Sequence, residues 1–236
     1  IGGQTVVVIG QNRSKDPVSG EALRIMPEGF RKSQRAIRIA EKFDLPIISL
    51  IDTPGANITL GAENRGLAHS IATTMSLFSS QSSPTIAVVI GEGGSGGALS
   101  IGIADKVIML ENAIYSAISP EEAANLIYRD ESRANEVAET LKLTASDCQS
   151  LGIVDLIVTE PEGGAHTDHH EAARLLKRAL LQQLFEVQNS SKRKRLRARY
   201  EKFKGIGEYS SHFRNRISRE LNLLQHSITD KIKGFR

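Results

Sequence analysis

Residues 84–105 read PTIAVVIGEGGSGGALSIGIAD, and this stretch decides the fold. TIAVVI (85–90) is an apolar run without polar alternation, the pattern of a strand buried on both faces, as in a parallel sheet. Glycines follow, then small residues that suit a short helix over 96–104. Strand, glycine turn and helix in that order predict the ligand-bearing edge of an α/β layer.

Four roles fit the glycines. Gly91, Gly93 and Gly96 spell G-x-G-x-x-G, and Glu111 follows Gly91 by twenty residues, where an acid could hold a ribose. Against this dinucleotide reading, Glu92 would set a negative charge beside a pyrophosphate. Gly93 to Gly97 spell G-x-S-x-G around Ser95, the pattern of a hydrolase elbow, with Asp155, His166, His169 and His170 downstream. A third role needs no side chain: glycines let a ligand approach the backbone, and N–H groups at a helix start can hold an oxyanion. The fourth is packing alone, a helix brought close to the sheet. A Walker loop is excluded, because no Lys-Ser or Lys-Thr follows.

Outward from this stretch, strands and helices alternate. TVVVIG (5–10), PIISLID (46–52), KVIML (106–110), AIYSAI (113–118) and GIVDLIV (152–158) read as strands. Helices are predicted from Pro27 to about Phe43 and from Glu63 to about Ser80. Another opens at Ser119-Pro120-Glu121-Glu122, with an N-cap, a proline and first-turn acids, and helical segments run on to about Ser150. From Asp168 the pattern is helical. The sequence therefore predicts an α/β fold, with a core over 1–167 and a helical C-terminal extension over 168–236.

Composition sets further bounds. The chain has 236 residues, 40% hydrophobic and 5% aromatic, with no Trp, so the core must be aliphatic. A single cysteine, Cys148, rules out a disulfide within the sequence and points to a reducing, cytoplasmic setting. No apolar run is long enough to span a bilayer, and no signal peptide is visible. The net charge of +3 selects no partner. KRKRLRARYEKFK (192–204) carries eight basic residues against one Glu, which admits a nucleic-acid surface. The simpler expectation is a solvated helix with Leu196, Tyr200 and Phe203 on its buried face. Ile217, Leu221, Leu224 and Ile228 form a second apolar stripe at helical spacing, suited to a partner subunit. The histidines at 166, 169 and 170 lack metal-ligand spacing, so no metal site is expected.

Longer motifs carry a resemblance. VIGEGGSGGALSIGIAD with KVIMLENAIYSAISPE, PEGFRK (27–32), AEKFDLPIISLIDTPGA (40–56), LGAENRG (60–66), LKLTASDCQSLGIVDLIVTEPEGGAHTD (141–168) and RYEKFKGIG (199–207) resemble the carboxyltransferase alpha subunit of bacterial-type acetyl-CoA carboxylase. That family is crotonase-like, and the resemblance implies a ββα spiral core. It implies that the chain presents the biotin side of a site completed by a beta subunit, which binds acetyl-CoA and carries a zinc ribbon. Carboxybiotin on its carrier protein would enter between them, and acetyl-CoA would become malonyl-CoA for fatty acid synthesis in an α2β2-type assembly.

On that resemblance the N–H groups of Gly97 and Ala98, with Gly96, are expected to hold the ureido oxygen of biotin. Gly93, Gly94, Asp52, Thr53, Pro54, Gly55 and Gly61 are expected to shape the substrate groove. A related biotin-dependent acyl-CoA carboxylase or decarboxylase shares the same turn; a nucleotide-binding or regulatory module is a remoter alternative. The sequence departs from the family pattern over Gln11–Met26, at Asn57-Ile58-Thr59, and at Asn64, where the family commonly has an acid.

Overall fold

The computed structural model describes residues 1–15, 20 and 23–207. The stripe at 217–228 lies outside them. The chain divides into one compact unit, Ile1–Tyr200, and a second, Glu201–Arg236.

The larger unit is built on a parallel sheet. Its strands are β1 (Val7–Gly10), β2 (Ile47–Thr53), β3 (Thr85–Gly94), β4 (Lys106–Leu110), β5 (Ile114–Ser116) and β6 (Leu156–Val158). The spatial order is β1-β2-β3-β4-β6, and β5 pairs with the far end of β3. Every strand pair is parallel. Ile47, Ile48 and Ile51 of β2, Ile86 and Val88 of β3, and Ile108 and Met109 of β4 are buried. With neighbours on both faces these strands have no wet side, which is why they read as unbroken apolar runs.

Helices α1 (Pro27–Lys42), α2 (Leu60–Asn64) and α3 (Leu67–Ser80) flank β2, and α4 (Ser95–Gly102) follows β3. The continuous helix expected over 63–80 is two helices, because Gly66 turns the chain through a left-handed φ of 76°. Helix α1 buries Phe30, Ile37 and Ala40. Its buried Gln34 donates to the Ser70 carbonyl and the Thr74 hydroxyl of α3, both at 3.1 Å.

After β5 come α5 (Pro120–Tyr128), a 3₁₀ turn (Glu131–Arg133), α6 (Ala134–Leu141) and α7 (Ala145–Ser150). The expected cap of α5 is present as a capping box between Ser119 and Glu122. Only the last three residues of 152–158 are strand; Asp155 instead turns its carboxylate onto the Val107 N–H at 2.7 Å.

Helix α8 (His169–Gln188) buries Leu180, Leu184 and Val187 and packs on β3 and β6. The compact unit therefore runs past 167, the boundary expected from the sequence. Helix α9 (Lys192–Gly205) overturns one expectation. Its buried residues are Arg195 and Arg199, while Tyr200 is exposed.

The guanidinium groups explain the reversal, since they donate to carbonyls at and just past the end of α3, where helical donors run out. Arg199 donates to the carbonyls of Phe78 and Gln81 and forks onto Asp105 at 2.7 and 2.9 Å. Arg195 reaches the Ser82 carbonyl at 2.7 Å. Two of the basic residues that suggested nucleic acid are thus spent inside the fold.

Candidate active site

The glycine stretch is strand before it is turn. Gly91 to Gly94 continue β3, with Gly93 beside Thr53 of β2 on one side and beside Tyr115 of β5 on the other. The register between β2 and β3 shifts here, from Ile51 opposite Val89 to Thr53 opposite Gly93. The extra residues of β3 bulge opposite Asp52. Its Oδ1 accepts from the Glu92 N–H at 3.0 Å and from Arg13 at 2.9 Å. Arg13 also meets Glu92 at 2.8 Å, and these carboxylates raise its pKa, Asp52 first. Asp52, expected in the groove wall, therefore braces the turn.

A second turn lies against the first. Thr53 is buried, and its hydroxyl both donates to the Gly55 carbonyl and accepts from the Gly55 N–H, each at 3.1 Å. Gly55 adopts φ 131°. Where the turns touch, side chains have no room: a Cβ on Gly94 would stand 2.4 Å from the Pro54 carbonyl carbon, and one on Gly97 2.7 Å from that of Gly55. Close backbone approach is the physical reason for glycine at both positions.

Ser95 opens α4 with a left-handed φ of 49°, uncommon outside glycine, and is exposed. This is the backbone of a strand-to-helix elbow, yet the triad is not assembled. His166 lies in another cavity with Glu111 and Glu160, whereas His169 and His170 begin α8. Asp155 holds the β4 backbone. The dinucleotide reading fails as well, since its first glycines are strand and Glu111 lies in that other cavity.

The turns border a cavity of about 580 Å³ at the C-terminal ends of β2, β3 and β5. Gly93, Gly94 and Gly96 line it, as do Pro54 and Gly55. Ile58, Leu67, Ile71, Ile114 and Ile118 supply apolar walls, and Glu121 and Glu122 bring the start of α5 to it. No histidine, lysine or cysteine is among the described lining residues.

Gly97 and Ala98 are buried one layer behind; the Gly97 carbonyl accepts from Gln11 at 2.8 Å and from Ser100 at 3.0 Å. In a helix starting at Ser95, the N–H groups of Ser95, Gly96 and Gly97 have no carbonyl one turn back, whereas that of Ala98 faces the Gly94 carbonyl. Gly61 is apart, exposed on α2 with its carbonyl taken by Arg65 at 3.0 Å.

Sequence reasoning missed Arg24, which lines the cavity beside the Pro54 turn. It also missed the walls supplied by Ile58 and Ile71. Arg24 carries no motif; only the bridge between Ile25 and Ala56 brings it to the site. Among the described residues no cluster of His, Cys, Asp and Glu could hold a metal, and no helix is long and apolar enough to cross a membrane.

Comparison with known proteins matches the sequence to a family. The family model described as acetyl co-enzyme A carboxylase carboxyltransferase-like matches residues 1–207. The acetyl-coenzyme A carboxylase carboxyl transferase subunit alpha of Staphylococcus aureus (strain MRSA252) is 48% identical over 212 residues, 89% of this chain and 68% of the relative.

Among solved structures, a Pseudomonas malonate decarboxylase hetero-tetramer in complex with coenzyme A superposes with a TM-score of 0.73 at 16% identity, covering 94% of this chain and 87% of the other. Transcarboxylase 12S with methylmalonyl-coenzyme A and methylmalonic acid bound gives a TM-score of 0.54 at 21% identity, over 60% of this chain and 32% of the other. These two establish the fold alone. The extent of the sequence match establishes the lineage: this chain belongs to the acetyl-CoA carboxylase carboxyltransferase family.

Proposed function

We propose that the chain is the biotin-side part of an acetyl-CoA carboxyltransferase, transferring a carboxyl group to acetyl-CoA to give malonyl-CoA. The observation that carries the reading is that the start of α4, at Ser95 and Gly96, lines a cavity without a catalytic histidine, lysine or cysteine among its described lining residues, and first-turn N–H groups have no helical acceptor. Such a site stabilises developing charge rather than supplying a nucleophile.

Carboxybiotin, delivered on a biotin carboxyl carrier protein, would supply the carboxyl group. The residues present fit a biotin ring: Ile58, Leu67 and Ile71 offer apolar walls, and the glycine backbone offers donors for one oxygen. The N–H group of Gly96 at the cavity, with that of Gly97 just behind it, would hold the ureido oxygen and stabilise negative charge on it, and Ala98 continues the helix. Losing one such donor costs roughly 3–4 kcal/mol of barrier. Pro54, Gly55, Gly93 and Gly94 shape the groove, while Asp52 and Thr53 hold its two turns in place.

A carboxyltransferase beta subunit completes the site by binding acetyl-CoA, in a cytoplasmic hetero-oligomer of fatty acid synthesis. Reconstitution tests this. The chain mixed with its beta partner, carboxylated carrier and acetyl-CoA should yield malonyl-CoA, and the chain alone should yield none. Absence of transfer to any short acyl-CoA in the reconstituted pair overturns the reading. Product analysis separates it from a decarboxylase.

A further inference from the structure

We propose that Arg24 binds the carboxylate that is handed from donor to acceptor; this rests on the carboxyl-transfer reading above. The backbone around Arg24 is pinned on both sides. Leu23 N–H donates to the Ser14 carbonyl at 2.8 Å, Ile25 N–H to the Gly55 carbonyl at 3.1 Å, and the Ile25 carbonyl accepts from Asn57 N–H at 2.9 Å. The side chain therefore lies along the Pro54–Gly55 turn, where Nη1 donates to the Pro54 carbonyl at 3.4 Å. A Cβ on Gly55 would meet Arg24 Nη1 at 3.4 Å and Ser95 Cβ at 3.9 Å. The guanidinium thus borders the Pro54–Gly55 turn, which packs against the start of α4.

Charge makes this position selective. Arg24 is the one cation among the described residues that line the cavity, against Glu92, Glu121 and Glu122. Glu92 is paired with Arg13 at 2.8 Å. Glu122 closes the capping box of α5, and Glu121 sits in the first turn of that helix, where the dipole favours an acid. Arg24 Nη2 stands 3.8 Å from Glu122 Oε1, both side chains partly exposed, a pairing of little worth. Among the described residues only the Pro54 carbonyl and Glu122 engage the guanidinium, which leaves most of its five N–H donors for a ligand.

The ligand chemistry follows from the fork. A guanidinium binds a planar carboxylate through two parallel hydrogen bonds, which an ammonium cannot reproduce. The transferred group is a carboxylate twice, on the biotin donor before transfer and on the malonyl thioester after it. The N–H groups of Gly96 and Gly97 serve a different oxygen, so the two elements do not compete.

The test uses the assembled enzyme, with Arg24→Lys and Arg24→Met beside the parent. Equilibrium binding of malonyl-CoA is compared with that of acetyl-CoA by calorimetry, and the KM for carboxylated carrier is measured with kcat. If the malonyl carboxylate is the ligand, Arg24→Met weakens malonyl-CoA binding about tenfold and leaves acetyl-CoA unchanged. If the donor carboxylate is the ligand, the KM for carboxylated carrier rises about tenfold while kcat changes less. Arg24→Lys restores part of either loss. Thermal melting of each variant accompanies the measurements, and Arg24→Lys keeps the charge should Arg24→Met fold poorly. Shifts below about twofold in both arms, in an assembly whose parent turns over, overturn the role of Arg24 and leave the function standing. A parent that transfers no carboxyl group overturns both.

Discussion

Gly97 lies so close to Gly55 that a Cβ on it would stand 2.7 Å from the Gly55 carbonyl carbon. Gly96, its neighbour, has only the Ile71 side chain at 3.8 Å in the same direction. Gly97→Ala should therefore cost about 1–3 kcal/mol through overpacking and lower carboxyl transfer with it. Gly96→Ala should be neutral or stabilising by up to about 1 kcal/mol, because alanine favours the helix. Urea unfolding of the two variants checks the order, and the reverse order would remove close packing as the reason for Gly97.

Ser95 holds a left-handed backbone with no catalytic partner. Ser95→Gly should relieve about 1 kcal/mol of strain. Ser95→Ala should leave turnover within about twofold, since the cavity's described lining offers no histidine to activate the hydroxyl. A dead Ser95→Ala variant with native stability would return the nucleophile reading.

The pair of Arg199 and Asp105 is almost fully buried, with side chains 2% and 6% exposed. Arg199→Met leaves the carboxylate without its cation and the α3 carbonyls without their donor, so it should cost about 3–5 kcal/mol. Adding Asp105→Asn should recover part of that loss. A double-mutant cycle by chemical denaturation gives the coupling, and additive single effects would count against it.

Burial pushes the Tyr115 phenol up to about 12, with Cys148 adding to the shift. The sign follows from proton linkage. The unfolded chain releases this proton near the ordinary value of 10, before the folded chain does. Its contribution to stability is complete below pH 10 and is lost as pH rises toward 12. Tyr115→Phe should flatten the alkaline limb of the stability profile, and an unchanged limb would assign the loss to other groups.

Much of the sheet was legible because parallel strands buried on both faces leave an unmistakable trace, as at Ile86 to Val89 and Ile47 to Ile51. The glycines hid their own strand. Nothing in the chemistry of Gly91–Gly94 favours extended backbone, and pairing with Thr53 and β5 overrides propensity there. The buried face of α9 departs from the expectation because arginine is normally wet, whereas here the Asp105 carboxylate and carbonyls such as those of Phe78, Gln81 and Ser82 make Arg195 and Arg199 the inward residues. The glycine turn was visible as a place for chemistry. Arg24 was not, since a pairing between Ile25 and Ala56 across thirty residues of sequence delivers it.

The two ends of β3 are held by different means. At its start, Asp105 accepts from the Thr85 N–H at 2.8 Å while gripped by the buried Arg199. At its far end the backbone bulges past Asp52, whose partner Arg13 is 42% exposed. Amide protons should record that gradient: Thr85 exchanges with solvent only when the whole unit opens, whereas Glu92 exchanges through local openings of its own. A single strand thus carries a slow clock at its start and a faster one at its far end, with the fast end at the cavity.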